Sequence, residues 1–182
     1  MQQAIFLEDV LRNRDERVLR QRRLLNAFPG CALVSLTVNI PGPVKWTPET
    51  ECVFSAGYSA LLEALDKAGV FPVHSTRLRQ DTGQEAFLLV SMKAEALKHL
   101  CCQVEQAAPW GRLLDLDVLD PEGELISRTA LGEPSRGCLV CGAPGPGCAS
   151  RRLHSLSELL AAFSALAHPL FSQSSLESTE ME

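Results

Sequence analysis

Gly111-Arg112-Leu113-Leu114-Asp115-Leu116-Asp117-Val118-Leu119 reads as a β-strand, and its place in the chain decides the fold. Successive side chains on a strand point to opposite faces, so Leu114, Leu116 and Val118 share one face and Asp115 and Asp117 the other. Working back from it, residues 92–106 read as a helix that ends before Pro109. Residues 73–80 and 85–90 form a predicted hairpin around Asp81-Thr82-Gly83. Thr47-Pro48 supplies an N-cap and a first-turn proline for a helix reaching about Ala68, closed by Gly69. Residues 31–39, rich in β-formers, read as a buried strand broken by Pro41-Gly42-Pro43. From 31 to 119 the order is strand, helix, strand, strand, helix, strand. This predicts an α+β fold, a ferredoxin-like βαββαβ sandwich whose antiparallel sheet carries both helices on one face. In that topology the last strand lies antiparallel beside the first.

Further elements flank this unit. Residues 7–28 carry an apolar stripe of Leu7, Val10, Leu11, Val18, Leu24, Leu25 and Phe28, which predicts an N-terminal helix ended by Pro29-Gly30. Its other side holds Arg12, Arg14, Arg17, Arg20, Arg22 and Arg23, with Glu8, Asp9, Asp15 and Glu16 interspersed. After the Asp-bearing strand, a turn at Asp120-Pro121-Glu122-Gly123 predicts a return strand from Glu124 to Thr129, an extra C-terminal hairpin. Its register would set Asp115 opposite Arg128 and Leu119 opposite Glu124. Residues 133–154 form a Gly-, Pro- and Cys-dense loop. Ser155-Leu156-Ser157-Glu158 is a capping box that opens a final helix running to about Ala167, before Pro169. Residues 1–171 are expected to form a single domain, and the polar, acidic residues 172–182 a disordered tail.

Composition narrows the function. The chain has 182 residues, a 46% hydrophobic fraction and a net charge of −5, which suits a globular domain and gives no sign of nucleic-acid binding. No apolar run is long enough to span a bilayer, and the charged N-terminus does not read as a secretory signal. Seven cysteines without such a signal point to a cytoplasmic chain with reduced or metal-bound thiols.

Two carboxylates on one rigid strand suit Mg²⁺, which takes hard oxygen ligands and shares its shell with substrate phosphates. Asp115 and Asp117 are therefore candidate metal ligands and catalytic residues. The alternatives are two surface acids, or an Asp115–Arg128 cross-strand ion pair that leaves Asp117 as the better ligand. The expected topology gathers Asn39, Lys45 and Arg112 at one end of the sheet, a cradle for a polyanion. Cys138, Cys141, Cys148 and His154 offer three thiolates and an imidazole, a possible tetrahedral Zn²⁺ site of structural type. Free thiols in a loop are the alternative. Arg151 and Arg152, ahead of the last helix, are candidate phosphate ligands or a solvated basic turn. Cys31, Cys52, Cys101 and Cys102 read as small core residues, and His74, His99 and His168 as structural.

Several segments together resemble one family. They are Phe28-Pro29-Gly30; Val34 through Lys45 (VSLTVNIPGPVK); Thr82 through Ala86 (TGQEA); Gly111 through Val118; Ile126-Ser127-Arg128; and Cys138-Leu139-Val140-Cys141 continuing to Arg151 through Leu156. Over residues 8 to 165 the chain is similar to the apo-citrate lyase phosphoribosyl-dephospho-CoA transferases, also called holo-citrate lyase synthases. The resemblance implies an enzyme of nucleotidyltransferase type. The donor would be 2′-(5″-triphosphoribosyl)-3′-dephospho-CoA, the acceptor a serine of the apo acyl carrier (gamma) subunit of citrate lyase, and the leaving group pyrophosphate. On that reading Asp115 and Asp117 hold Mg²⁺, while Arg112, Lys45 and Arg128 bind phosphate oxygens. Asn39 donates to the ribose or a phosphate, and the general base is Glu85 or one of the aspartates. The helix-face arginines would suit an acidic carrier. The helix before the Asp-bearing strand begins Ser91-Met92-Lys93, without the Gly-Ser pair frequent in nucleotidyltransferases, so the ferredoxin-like fold is retained. Two other readings stay open: a non-catalytic, zinc-stabilised binding module of a citrate lyase complex, and another Mg-dependent nucleotidyltransferase.

Overall fold

The computed structural model describes residues 4–144 and 147–179. Helix α1 spans Leu7–Ala27, strand β1 Ala32–Val38, helix α2 Pro48–Lys67, strands β2 Pro72–Gln80 and β3 Gly83–Val90, helix α3 Ala94–Gln106 and strand β4 Leu114–Leu119. A short helix α4, Gly147–Ser150, precedes helix α5, Leu156–Thr179. The four strands lie in the order β2-β3-β1-β4, every neighbouring pair antiparallel. Thus β4 flanks β1 as expected, and its Asp117 and Asp115 stand opposite Ser35 and Thr37.

The predicted caps hold the second helix. Thr47 Oγ1 accepts the Thr50 amide at 3.1 Å, and Thr50 Oγ1 accepts the Thr47 amide at 3.0 Å. Gly69 ends the helix at φ +69°, a conformation only glycine adopts without strain. One face of the sheet presents Ala32, Val34, Leu36, Leu88, Leu114 and Leu116 to α2, α3 and α5, which contribute Val53, Leu61, Leu97, Cys101, Phe163 and Ala167 to the main core. The opposite face presents Leu33, Phe87 and Leu89 to Leu25 near the end of α1.

The N-terminal helix turns differently from its stripe. Its C-terminal part packs as predicted, through Leu24, Leu25 and Phe28. Farther back, Leu7, Leu11 and Val18 are exposed, and the buried residues are Asn13 and Gln21. The cause is Glu85, a carboxylate on β3 that is only 1% exposed. Asn13 Nδ2 donates to it at 2.7 Å, Arg17 Nε at 2.8 Å and Arg20 Nη1 at 2.8 Å. A buried carboxylate demands charge-assisted partners, and that demand outweighs the burial of a few exposed leucines. Glu85 is thereby saturated, which removes it as a base.

Three other expectations change. The return strand reduces to one bridge, Leu119 with Leu125, supported by Ile126 N–H donating to Val118 O at 2.8 Å. The chain then leaves the sheet into a 3₁₀ turn at Thr129–Leu131, so Arg128 never stands opposite Asp115. Residues 111–113, read as strand, lie in a 3₁₀ turn at Pro109–Leu113. There a Cβ on Gly111 would sit 2.7 Å from the Glu105 carbonyl oxygen, and the tight return from α3 leaves no room for one. Finally, α5 passes through Pro169 to Thr179 where a break and a disordered tail were expected; residues 180–182 lie outside the described residues. Proline forfeits one helical bond. Leu166 and Leu170, on either side of it, both pack on the core and hold the helix through the gap.

Candidate functional site

The site forms where β4, the end of α3 and the loop from Gly132 to His154 meet. Being an edge strand, β4 has outward backbone groups that need partners. Two side chains of α3 supply them at Leu116: Lys98 Nζ donates to its carbonyl at 2.6 Å, and its amide donates to Glu105 Oε1 at 3.0 Å. Both side chains are buried. Glu105 in turn receives Arg128 Nη2 on one oxygen and Arg136 Nη2 on the other. Arg136 also reaches Asp115 Oδ1 at 3.5 Å. Arg128 extends its remaining donors to the Pro134 carbonyl and the Cys102 thiol. The expected Asp115–Arg128 pair is thus replaced by Asp115–Arg136 and Glu105–Arg128.

Asp115 and Asp117 lie on the sheet face that α1 occupies; α1 packs chiefly against β1 and β3, and on β4 Leu119 joins the same small core. Asp115 is half-exposed. Burial first, then the neighbouring Asp115 charge, push the Asp117 carboxyl above its ordinary pKa, while Lys98 and Arg136 pull the other way. Two carboxylates on one face are the oxygen donors that could hold a divalent cation, with Arg136 already beside Asp115.

Two cavities open beside the Glu105–Arg128–Arg136 network, and neither Asp115 nor Asp117 is among the residues that line them. The larger, about 740 Å³, is lined by Asn39, Arg128, Arg136, Cys138, Arg152 and His154, among others. The smaller, about 480 Å³, runs from Glu105 past Arg112 and shares Arg128, Ser135, Arg136 and Gly137 with the first. Asn39 sits at the end of β1, its backbone amide donating to the Leu113 carbonyl at 2.7 Å, next to the 3₁₀ turn that carries Arg112. Arg112 instead fixes the loop, donating to the Gly137 carbonyl at 2.8 Å. Lys45 turns back onto the Ile40 carbonyl at 2.5 Å, and burial lowers its pKa. Neither Lys45 nor Arg151 lines either cavity. The expected gathering of Asn39, Lys45 and Arg112 is therefore dispersed, and Arg136, Arg128 and Arg152 supply the cationic wall.

Sequence reading missed Glu105 and Arg136. Glu105 carried one signal: an acid in the last turn of a helix opposes the helix dipole and calls for a tertiary partner. Arg136 carried none. The arginines read as a carrier-facing surface are partly committed inside the chain: Arg17 and Arg20 bind Glu85, and Arg12 binds Asp9.

Arg152 stands out in its backbone. Its φ of +51° places it in the left-handed region, where a non-glycine residue is strained, and strain of this kind collects at functional sites. We expect Arg152→Gly to leave the thermal midpoint equal or slightly higher, because glycine relaxes the backbone. Binding of a phosphorylated donor should weaken by about tenfold or more, the weight of one charged hydrogen bond of roughly 1.5–3 kcal/mol. Paired thermal melts and donor KM values check both halves. A fall in stability with unchanged KM would make the residue structural.

Comparison with known proteins places this geometry in a family. The family model described as apo-citrate lyase phosphoribosyl-dephospho-CoA transferase matches residues 5–169. The chain belongs to that family. An apo-citrate lyase phosphoribosyl-dephospho-CoA transferase from Citrobacter koseri is 39% identical over 165 residues, covering 91% of this chain and 90% of the relative. A protein of Streptococcus pyogenes serotype M3 with the same description, marked probable, is 39% identical over 180 residues, covering 97% and 93%. One from Vibrio cholerae serotype O1, also marked probable, is 37% identical over 166 residues, covering 91% and 93%. The family is one of transferases that act on apo-citrate lyase, as the early resemblance implied. No helix among the described residues is long and apolar enough to cross a membrane.

Proposed function

We propose that the chain transfers the phosphoribosyl-dephospho-CoA group of 2′-(5″-triphosphoribosyl)-3′-dephospho-CoA to a serine hydroxyl of the apo acyl carrier (gamma) subunit of citrate lyase, in the cytoplasm. A serine oxygen–phosphorus bond forms, a phosphorus–oxygen bond of the triphosphate breaks, the serine proton passes to a base, and pyrophosphate leaves. The observation that carries the reading is the 740 Å³ cavity with Asn39, Arg128, Arg136 and Arg152 on its wall, in a chain matched to the transferase family over residues 5–169. Its strand order supports the ferredoxin-like description of the sheet.

In this reading, Asp115 and Asp117 hold Mg²⁺, which when bound neutralises charge on the triphosphate. The rest falls to the chain's own groups. Arg136 and Arg128, anchored by Glu105, present fixed positive charge to the phosphates, and Arg152 adds a third guanidinium to the same cavity. Asn39 offers an amide donor for a ribose or phosphate oxygen. Charge fixed before the reaction lowers the barrier without reorganisation in the transition state.

The test is direct. Purified protein is incubated with the triphosphoribosyl donor, apo carrier and Mg²⁺, and the carrier is weighed by mass spectrometry. A mass gain equal to the prosthetic group, with pyrophosphate released, supports the transferase. Carrier binding without a mass gain overturns it in favour of a binding module.

A further inference from the structure

We propose that Cys138, Cys141, Cys148 and His154 bind one Zn²⁺, and that this ion builds the wall of the larger cavity. The four ligand atoms lie within 4.8 Å of one another. Cys141 Sγ is 3.5 Å from Cys148 Sγ and 3.3 Å from His154 Nε2. In a tetrahedral site with Zn–S bonds of about 2.3 Å, ligand atoms stand roughly 3.5–3.8 Å apart, so the cluster is already close to the dimensions of a filled site.

The backbone is shaped to make that cluster. Cys138 N–H donates to the Ala143 carbonyl at 2.7 Å, and Gly142 N–H to the Cys138 carbonyl at 3.0 Å, closing a tight turn with the first two cysteines at its ends. Gly142 takes φ +71°, and a Cβ on Gly137 would sit 2.5 Å from the Gly142 carbonyl oxygen. Both positions admit glycine and little else. A second turn brings the other two ligands in, with Leu153 N–H donating to the Cys148 carbonyl at 3.0 Å.

Packing alone does not account for this order. Cys141 is exposed, the other three ligands are only partly buried, and Leu139 is the one residue between Gly132 and Ser155 that packs on the main core among the described residues. A loop so poor in apolar anchors needs another constraint to hold four soft donors on one point. Three thiolates and an imidazole select zinc over the hard cations. Four protein ligands leave no open position, so the ion is structural.

The location gives the ion a consequence. Cys138, Cys148 and His154 themselves line the 740 Å³ cavity, together with Asn39 and Arg152. Metal loading and donor binding should therefore be coupled. This half of the inference rests on the transferase reading; the metal site does not.

The experiment uses full-length, untagged protein purified under reducing conditions. Elemental analysis should find about one zinc per chain, and much less in Cys141→Ser and Cys148→Ser. Because either variant can fail to fold, wild type stripped by a chelator is also titrated with Co²⁺ alone. Tetrahedral d–d bands with thiolate charge transfer, saturating at one equivalent, support the site. Zinc near zero together with no cobalt spectrum overturns it. Hydrogen exchange should show protection lost across the Cys138–His154 loop on stripping, with β1 and β3 unchanged. The donor KM of stripped protein should rise on the order of tenfold. An unchanged KM overturns the coupling. Stoichiometric zinc in a protein that never modifies the carrier supports the metal site and sinks the transferase reading instead.

Discussion

Asp117→Asn should abolish transfer while leaving the protein as stable as the wild type or more so. The substitution keeps the volume and removes the charge with which the proposed Mg²⁺ site would hold its ion. Loss of charge stabilisation at a metal-assisted phosphoryl centre is worth several kcal/mol, so the rate should fall by on the order of 10²–10³. The stability effect follows from the titration of Asp117. Its pKa is raised in the folded chain, by burial and then by Asp115. The native state therefore holds this proton more tightly than the unfolded state does. The stability it contributes is fully present below the unfolded value of about 4 and is lost as pH rises through the folded value. Above the folded value the ionised side chain is a net cost, and asparagine removes it. Added Mg²⁺ should raise the thermal midpoint of wild type at neutral pH and leave that of Asp117→Asn unmoved. Thermal melts with and without Mg²⁺, beside the mass-spectrometric transfer assay, check all three statements. A variant that keeps its transfer rate would remove the metal role from this strand.

Glu105→Ala should be the most destabilising single change at the site. Glu105 is 4% exposed and carries three partners: Arg128, Arg136 and the amide of Leu116. Removing one member of such a pair leaves positive charge uncompensated, and breaking a buried pair costs about 3–5 kcal/mol. The Leu116 amide would lose its partner at the same time. That sum is a large share of a small domain's stability, so Glu105→Ala should unfold at markedly lower denaturant or express insolubly. Glu105→Gln retains an acceptor for Leu116 and should fall between the two. Urea unfolding of the three proteins gives the ranking. A Glu105→Ala stability within about 1 kcal/mol of wild type would mean that the arginines re-solvate freely, and would take away their anchored role.

The two residues contrast in how far sequence reveals them. Asp117 was legible because strand periodicity alone puts it beside Asp115, and β4 keeps that period. The caps at Thr47 and Ser155 were legible because they involve contacts within four residues; Ser155 N–H meets Glu158 Oε2 at 2.8 Å as the pattern requires. The clustering of Cys138, Cys141, Cys148 and His154 was legible from spacing, since two tight turns bring near neighbours together. Arg136 was not, because its partners lie on α3 and β4 and no local pattern encodes a contact across that distance. The register of Arg128 failed for a related reason. A turn predicts where a strand begins to return, but the arginine's attraction to Glu105 draws the chain off the sheet soon after. On α1, amphipathicity identified the apolar side of the helix, whereas a buried carboxylate on β3 chose the side that packs.

The sealing of β4 has a consequence for how copies of the chain can meet. A strand arriving from a neighbour at that margin would find the Leu116 amide and carbonyl already taken by α3, and the Val118 carbonyl taken by Ile126. Sheet extension in that direction is blocked without a dedicated proline or bulge. The opposite margin, β2, carries the exposed residues Val73, Ser75, Arg77 and Arg79, so its guard against aggregation is positive charge rather than occupied hydrogen bonds. High salt, which screens that charge, should therefore promote self-association through β2 before any other strand.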